Sequence, residues 1–215
     1  MYVPARADGA AHVTLVDVAG PIATSRLDLP PASQVILGRG LAIGATCDGD
    51  TIRVSVADPA VSREHVRLLR VESGWVLEDL GSKNGTLRLG AALRSGRLLD
   101  GDVFEIGATF VVFRHGGRRS VDAVRLVSAA ELAALPPALA SFHPQAEEEA
   151  ARLAAVTRAR IPLLLVGECG TDKALVAHAL HDRWGGGGAI GPIDCAAQTP
   201  RTLEAAVASA CAQLE

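Results

Sequence analysis

Short runs of apolar and β-branched residues fill the first half of the chain, and they constrain its fold more than any other feature. Between residues 12 and 114 these runs are HVTLVDV, QVILG, TIRVSV, HVRLLRV, GWVLEDL and TFVVFR, and Gly, Asp, Pro and Asn separate them. Runs of this length bounded by such turn residues are typical of β-strands. The sequence therefore predicts an antiparallel β-sandwich over residues 12–114.

The second half of the chain has a different pattern. After a break rich in Gly and Arg, residues 115–141 are predicted to be a linker that is helical around SAAELAALPPALASF. Residues 142–215 then alternate helix-like and strand-like segments: HPQAEEEAARLAAVTRAR, IPLLLVG, KALVAHALHDRW, AIGPID and TLEAAVASACAQLE. This helix and strand alternation predicts a short parallel α/β module.

Composition excludes several functional classes. The formal net charge of -3 over 215 residues gives no overall attraction to nucleic acid or to an anionic membrane. The N-terminus lacks the apolar core of a signal peptide, and IPLLLV is far too short to span a membrane. Four scattered cysteines form no C-x-x-C pair, so neither a metal site nor a disulfide framework is expected. The sequence predicts a cytoplasmic protein with no membrane or nucleic-acid partner.

Four separated motifs in the first half occur in a recognisable order. They are Gly38-Arg39, VSREH at 61–65, DLGSKNGT at 79–86 and LLDGDVFEIG at 98–107. Together they resemble the forkhead-associated (FHA) domain, and the resemblance covers residues 12–114. It implies a β-sandwich whose apical loops bind a phosphothreonine peptide. A sandwich that has kept this fold and lost its ligand is the alternative.

The resemblance also implies a role for individual residues. The implied phosphopeptide-binding residues are Arg39, Ser62, Arg63, Lys83 and Asn84, and the implied structural residues are Gly38, His65 and Gly85. A phosphothreonine carries about -1.5 to -2 charges and three strong acceptor oxygens, which suits arginine, lysine and hydroxyl donors. Residues 40–50, GLAIGATCDGD, are expected to form a long glycine-rich loop that alters peptide selectivity.

The second half carries a partial nucleotide-binding loop. GECGTDKALVAHALH and DCAAQTPRTLE resemble the start of the AAA+ domain of sigma-54-dependent transcriptional activators of bacteria, a P-loop ATPase fold. Gly167, Gly170, Thr171 and Lys173 match the phosphate loop of that family, but Asp172 occupies the position of a glycine that lets the backbone approach the phosphates. The sequence therefore predicts a degenerate, non-catalytic module over residues 142–215 that needs no cofactor, with weak ATP binding as the alternative.

These patterns predict a function in recognition rather than catalysis. The expected protein is a phosphothreonine-dependent binding module in Ser/Thr kinase signalling, with transcription as a candidate output. Its expected partner is a protein phosphorylated by a Ser/Thr kinase. The alternative is an ATP-binding, sigma-54-dependent transcriptional activator, or a fragment of one.

Overall fold

The chain forms two compact units. The computed structural model describes residues 10–17, 24–32, 34–117, 122–184, 190–191 and 193–212. One unit contains the chain up to Leu135 together with Ser141–Gln145, and the other contains Pro136–Ala140 and the chain from Ala146 onward. Each unit has its own cluster of buried apolar residues.

The first unit is a β-sandwich. Its described strands are β1 (Ala10–Asp17), β2 (Ser25–Leu29), β3 (Gln34–Arg39), β4 (Gly44–Asp48), β5 (Thr51–Val56), β6 (Val66–Val71), β7 (Gly74–Asp79), β8 (Thr86–Arg88), β9 (Ala91–Ala92), β10 (Ser95–Leu98), β11 (Val103–Ile106), β12 (Thr109–Gly117) and β13 (Arg125–Ser128). One sheet has the order β13-β2-β1-β12-β11-β8-β9 and the other the order β10-β7-β6-β3-β5-β4. The predicted sandwich is confirmed, and a short helix α1 (Ala129–Ala133) follows its last strand.

The core of the sandwich follows from the two-residue period of the β-strand. Alternate side chains of a strand point to opposite faces, so every second residue of the central strands is buried. Val13 and Leu15 of β1 are almost completely inaccessible, as are Val35 and Leu37 of β3 in the other sheet. The rings of Trp75 and Phe113 meet edge to face with centroids 5.5 Å apart, and they join the two sheets in the same cluster.

One strand pair is parallel, although the sequence predicts an antiparallel sandwich. The reason for this difference lies in residues 40–50. The sequence predicts a long loop there, but Gly44–Asp48 forms β4, which pairs antiparallel with β5. Because β5 rather than β4 also pairs with β3, the β3–β5 pair is parallel. The loop that follows Arg39 is therefore limited to residues 40–43, and the prediction of a long glycine-rich loop is wrong.

The seven-stranded sheet extends past the predicted end of the sandwich. β12 continues to Gly117, and β13, which lies in the predicted linker, pairs antiparallel with β2. Arg26 of β2 is fully buried, and its guanidinium donates to both carboxylate oxygens of Asp28 at 2.7 and 2.9 Å and to the carbonyl oxygen of Phe142 at 2.7 Å. Residues 125–128 and 142 therefore belong structurally to the first unit.

His12 of β1 makes the stability of this unit depend on pH. Burial lowers the pKa of His12 from 6.5 to about 4; Asp28 raises this pKa, whereas Arg26, Arg114 and His143 lower it. The unfolded chain binds a proton at this histidine near pH 6.5, while the folded protein does so only near pH 4. Stability is therefore expected to fall as the pH decreases from 6.5 towards 4, which Tm measurements across this range would detect.

A pair of histidine variants isolates this contribution. The decrease in Tm between pH 7 and pH 4.5 should be smaller in His12→Gln than in the unmodified protein. His178→Gln, which alters an exposed histidine of the second unit, should keep the full decrease. An equal decrease in His12→Gln would contradict the assignment to His12.

The second unit is helical in its described residues. It contains most of α2 (Pro144–Arg158), together with α3 (Lys173–Trp184) and α4 (Pro200–Ala212), and two 3-10 turns at Pro137–Leu139 and Cys195–Ala197. Leu139, Ala179 and Leu180 form its small buried cluster, and Leu153 and Trp184 pack against it. All three helices occur where the sequence predicts them, although residues 213–215 of the last predicted helix lie outside the described residues.

The predicted parallel sheet of this unit is not found among its described residues. Residues 161–168 belong to no strand, and Leu164 and Val166 are 87% and 84% exposed. The other predicted strand, AIGPID, lies partly outside the described residues. A β-strand is stabilised by hydrogen bonds to a neighbouring strand, and no described neighbour supplies them to IPLLLVG. The described part of this unit therefore does not show the parallel sheet of a P-loop ATPase fold.

Candidate functional site

The motif residues of the first unit meet at one end of the six-stranded sheet. Backbone hydrogen bonds join the segments: Arg39 N–H at the end of β3 donates to Ser62 O at 2.8 Å, and His65 N–H donates to Leu37 O at 3.0 Å. The turn between β7 and β8 is joined to the same loop, because Lys83 N–H donates to Ser62 Oγ at 3.0 Å. Segments more than 20 residues apart thus form one surface.

His65 holds two of these segments from inside. Its side chain is completely buried, and its Nδ1 accepts from Ser62 N–H at 3.1 Å. Nδ1 therefore carries no proton, so Nε2 carries it and donates to Gly85 O, 3.0 Å away. His65 therefore links the loop before β6 to the turn before β8.

Gly38 is required by close backbone contact. A Cβ atom at this position would lie 1.9 Å from the carbonyl oxygen of Arg63 and 2.7 Å from its carbonyl carbon. No side chain fits there unless the backbone moves. The absence of a side chain at Gly38 lets the loop at residues 62–65 lie directly against the end of β3, beside Arg39.

Ser62 and Asn84 are positioned by contacts that leave polar atoms for a ligand. Ser62 Oγ accepts from the Lys83 amide, so its hydroxyl hydrogen is available for donation. Asn84 Nδ2 donates to Ala60 O at 2.8 Å, which directs its Oδ1 away from that bond. Gly85 follows with φ of 75°, a left-handed conformation that glycine adopts without strain. The turn therefore presents a hydroxyl donor and an amide acceptor.

Three cationic residues are joined to Ser62: Arg63 follows it in the chain, and the backbone amides of Arg39 and Lys83 donate to its oxygens. Arg39, Arg63 and Lys83 are all exposed, and among the described residues the side chain of Arg39 makes one hydrogen bond, from Nη1 to Pro59 O at 3.3 Å. No side-chain hydrogen bond or ion pair to Arg63 or Lys83 occurs within the described residues. Most of the donors on these three groups are therefore available to an anion.

Asp79 organises the turn that carries Lys83 and Asn84. Its carboxylate accepts from the amides of Gly81 and Ser82 at 2.9 and 2.8 Å, and from the hydroxyls of Ser82 and Thr86 at 2.7 and 2.6 Å. Burial acts to raise the pKa of Asp79, but the hydrogen bonds from Thr86 and Ser82 outweigh it and lower the pKa. The charged carboxylate thus holds this turn in one conformation.

Asp58 has a similar role that the sequence did not reveal. It is buried and accepts from Ala60 N–H at 2.8 Å and from Ala108 N–H at 2.7 Å. The hydroxyl of Thr109 adds a third contact at 3.1 Å. Asp58 thereby ties the segment that contains Ala60, the partner of Asn84, to the turn between β11 and β12. Only its position before Pro59, a common turn signal, could have indicated this role.

The phosphate-loop residues of the second unit form a loop that closes on its own lysine. Lys173 Nζ donates to Gly167 O and to Thr171 Oγ1, each at 3.0 Å, and also contacts Glu168 O. Gly170 has φ of 79°, and Asp172 has φ of 51°, a conformation that glycine adopts more easily. The four residues that match the phosphate loop therefore lie close together: Gly167, Gly170, Thr171 and Lys173. The ammonium group of Lys173 is bound to oxygen atoms of this same loop.

The described part of the chain lacks two other features, a metal-binding cluster and a membrane-spanning helix. No group of three or more His, Cys, Asp or Glu residues there is arranged to hold a metal ion. None of the described helices has the length and apolar character needed to span a membrane.

Comparison with known proteins gives matches to the first unit. Residues 35–107 match the sequence model of the FHA domain. An FHA domain-containing protein of Arabidopsis thaliana is 38% identical over 96 residues, which cover 43% of this chain and 23% of that protein. The chain thus spans less than a quarter of the length of this relative.

Solved structures give similar matches. An FHA domain studied for phosphothreonine-dependent interactions is 28% identical and covers 49% of this chain and 95% of its own, with a TM-score of 0.37. The FHA domain of a hypothetical protein of Arabidopsis thaliana is 27% identical and covers 56% of this chain and 98% of its own, with a TM-score of 0.40. The match to the sequence model identifies residues 35–107 as an FHA domain.

Proposed function

We propose that the first unit binds a phosphothreonine of a protein partner that a Ser/Thr kinase has phosphorylated. The observation that carries this proposal is the hydrogen-bonded junction of Arg39, Ser62 and Lys83, which joins three residues with guanidinium, hydroxyl and ammonium side chains at one end of the sheet. Arg63 adds a fourth donor group from the same loop. FHA domains are binding modules without catalytic activity, and this set of donors suits that role.

The chemistry of phosphothreonine suits these donors. Its charge of about -1.5 to -2 and its three acceptor oxygens can accept charge-assisted hydrogen bonds from Arg39, Arg63 and Lys83. Ser62 Oγ supplies a neutral donor. Asn84 Oδ1 is left to accept from a peptide amide, since its Nδ2 is held by Ala60 O. Phosphate recognition and peptide recognition are thus assigned to neighbouring residues of one surface.

We propose that the second unit takes no catalytic part in this function. The contacts of Lys173 with Gly167, Glu168 and Thr171 support this, because an ammonium group that binds loop oxygens must leave them before it can bind a phosphate. No observation favours the alternative of an ATP-dependent transcriptional activator, and a transcriptional output of phosphopeptide binding stays a proposal.

Calorimetry with one peptide in three forms tests the proposal. A peptide selected from a phosphothreonine library on the purified protein should bind at least about 100-fold more weakly without its phosphate, because about two charge-assisted hydrogen bonds of 1.5–3 kcal/mol are lost. Its phosphoserine form should bind about 4-fold more weakly, since a buried methyl group contributes about 0.8 kcal/mol. Equal affinity of the phosphorylated and unphosphorylated forms would refute phosphate recognition, and equal affinity of the phosphoserine form would refute selection for threonine.

A further inference from the structure

The chain contains a single asparagine, and this residue lies in the candidate site. Of the 215 residues only Asn84 is an asparagine, and Gly85 follows it. An Asn-Gly pair is especially open to deamidation, because glycine has no side chain to shield its backbone nitrogen from the neighbouring asparagine amide. Deamidation of an asparagine can therefore occur at one place in this chain, the turn between β7 and β8.

The reacting groups are accessible in this turn. Asn84 is exposed, and the Gly85 N–H donates to no acceptor within the described residues. The Asn84 amide is held by the bond from its Nδ2 to Ala60 O at 2.8 Å, which is itself exposed. A hydrogen bond of this kind favours the closed arrangement by roughly 10-fold. It therefore slows the attack on the side chain without preventing it.

We propose that Asn84 is a deamidation site and that its modification abolishes phosphothreonine binding. The Gly85 backbone nitrogen attacks Cγ of Asn84 and loses its proton, the side-chain nitrogen leaves as ammonia, and a five-membered succinimide ring forms. Water then opens the ring at either carbonyl and gives aspartate or isoaspartate. The net reaction consumes one water for each ammonia released. The loss of binding rests on the proposed function, whereas the modification itself does not.

Either product removes contacts that position the site. Both replace the Nδ2 donor to Ala60 O by a carboxylate oxygen, and both place a negative charge beside the proposed phosphate site, where it repels a phosphate. Isoaspartate also adds a carbon atom to the backbone between Lys83 and Gly85. The Lys83 amide donates to Ser62 Oγ and the Gly85 carbonyl accepts from His65, so the longer backbone must strain or break one of these bonds.

Timed incubation of the full chain at pH 8 tests the modification. Trypsin cleavage after Lys83 and Arg88 releases residues 84–88, in which mass spectrometry and chromatography distinguish asparagine, aspartate and isoaspartate. A free peptide of residues 81–88 under the same conditions gives the reference rate. The protein should deamidate within about 10-fold of this rate, and a slower reaction would overturn the proposal.

Gly85→Ala is the matched control for the chemistry. A Cβ at this position meets nothing within 4 Å, so the variant has room to fold although its φ of 75° favours glycine. The added methyl group hinders the attacking nitrogen. The variant should form little product in the time that the unmodified protein needs for half conversion, and equal rates in the two proteins would overturn the succinimide step.

Calorimetry of the incubated samples with a phosphothreonine peptide tests the loss of binding. The number of binding sites per chain should fall in proportion to the fraction of intact Asn84. Asn84→Asp, which reproduces one product, should bind at least about 10-fold more weakly. Full binding by the deamidated protein would overturn the loss of function. If no phosphothreonine peptide binds the fresh protein, the proposed function is overturned, and the rates of product formation alone decide whether Asn84 is a modification site.

Discussion

Replacing Arg39 by alanine is expected to weaken binding of a phosphothreonine peptide by about 100-fold or more and to leave the Tm of the protein unchanged. Arg39 is exposed, and its only described side-chain bond, to Pro59 O, is 3.3 Å long, so its removal takes little from the fold. Loss of a charged partner from a desolvated phosphate contact costs about 2–5 kcal/mol. Isothermal titration calorimetry and a thermal melt on the same preparation measure both quantities.

The control for this variant removes an equal charge elsewhere. Arg114→Ala lies in β12 of the other sheet and is paired with Asp100 at 3.0 Å. It should reduce affinity by less than about 2-fold, since screening weakens charges beyond about 8–10 Å. Similar losses in Arg39→Ala and Arg114→Ala would show that the peptide responds to general charge, and the assigned phosphate site would then be wrong.

Replacing Gly38 by alanine is expected to lower the free energy of unfolding of the sandwich by about 3 kcal/mol or more. The added Cβ would lie 1.9 Å from Arg63 O, and relief requires movement of β3 or of the loop at residues 62–65. Inserting an extra methyl group into a well-packed core costs about 1–3 kcal/mol, and two backbone segments yield less easily than side chains. Because Arg63 is displaced, phosphopeptide affinity should also fall.

Urea unfolding followed by the fluorescence of Trp75 measures this loss in the first unit. A Trp184→Phe background removes the signal of the second unit, since the chain contains two tryptophans. Gly44→Ala is the matched control, because a Cβ there would meet only Ser55 Oγ, at an ordinary 3.6 Å. An unchanged midpoint in Gly38→Ala would refute the need for this close backbone approach.

The sequence predicted those parts of the fold that depend on local pattern. The runs that became β1, β3, β5, β6, β7 and β12 are rich in apolar and β-branched residues, and part of each is buried in the core. β4 was missed because GATCD contains no large apolar residue, and its residues are exposed or half-buried at the edge of the sheet. β13 was missed because it comes directly before an alanine-rich helix. The strand assigned to IPLLLVG had the right composition, but no described strand pairs with it.

The candidate site residues could be named from local sequence motifs, and their binding role stays a prediction. Arg39, Ser62 and Asn84 lie in motifs whose order can be read directly from the chain. The contacts that position them are not local: Asp58 acts through Ala108 and Thr109, some 50 residues away. The parallel register of β3 and β5, which places Arg53 opposite Ile36, is likewise marked by no sequence motif.

The residues that match the FHA sequence model form only part of the β-sandwich. Residues 35–107 exclude β1, β2, β12 and β13, which are four of the seven strands in one sheet. Val13, Leu15 and Phe113 of the core lie on these strands, and so does Arg26 with its bond to Phe142. A boundary drawn at the limits of the recognised motifs would leave the apolar face of the six-stranded sheet largely uncovered. A fragment prepared to study this domain therefore has to include residues 10–142.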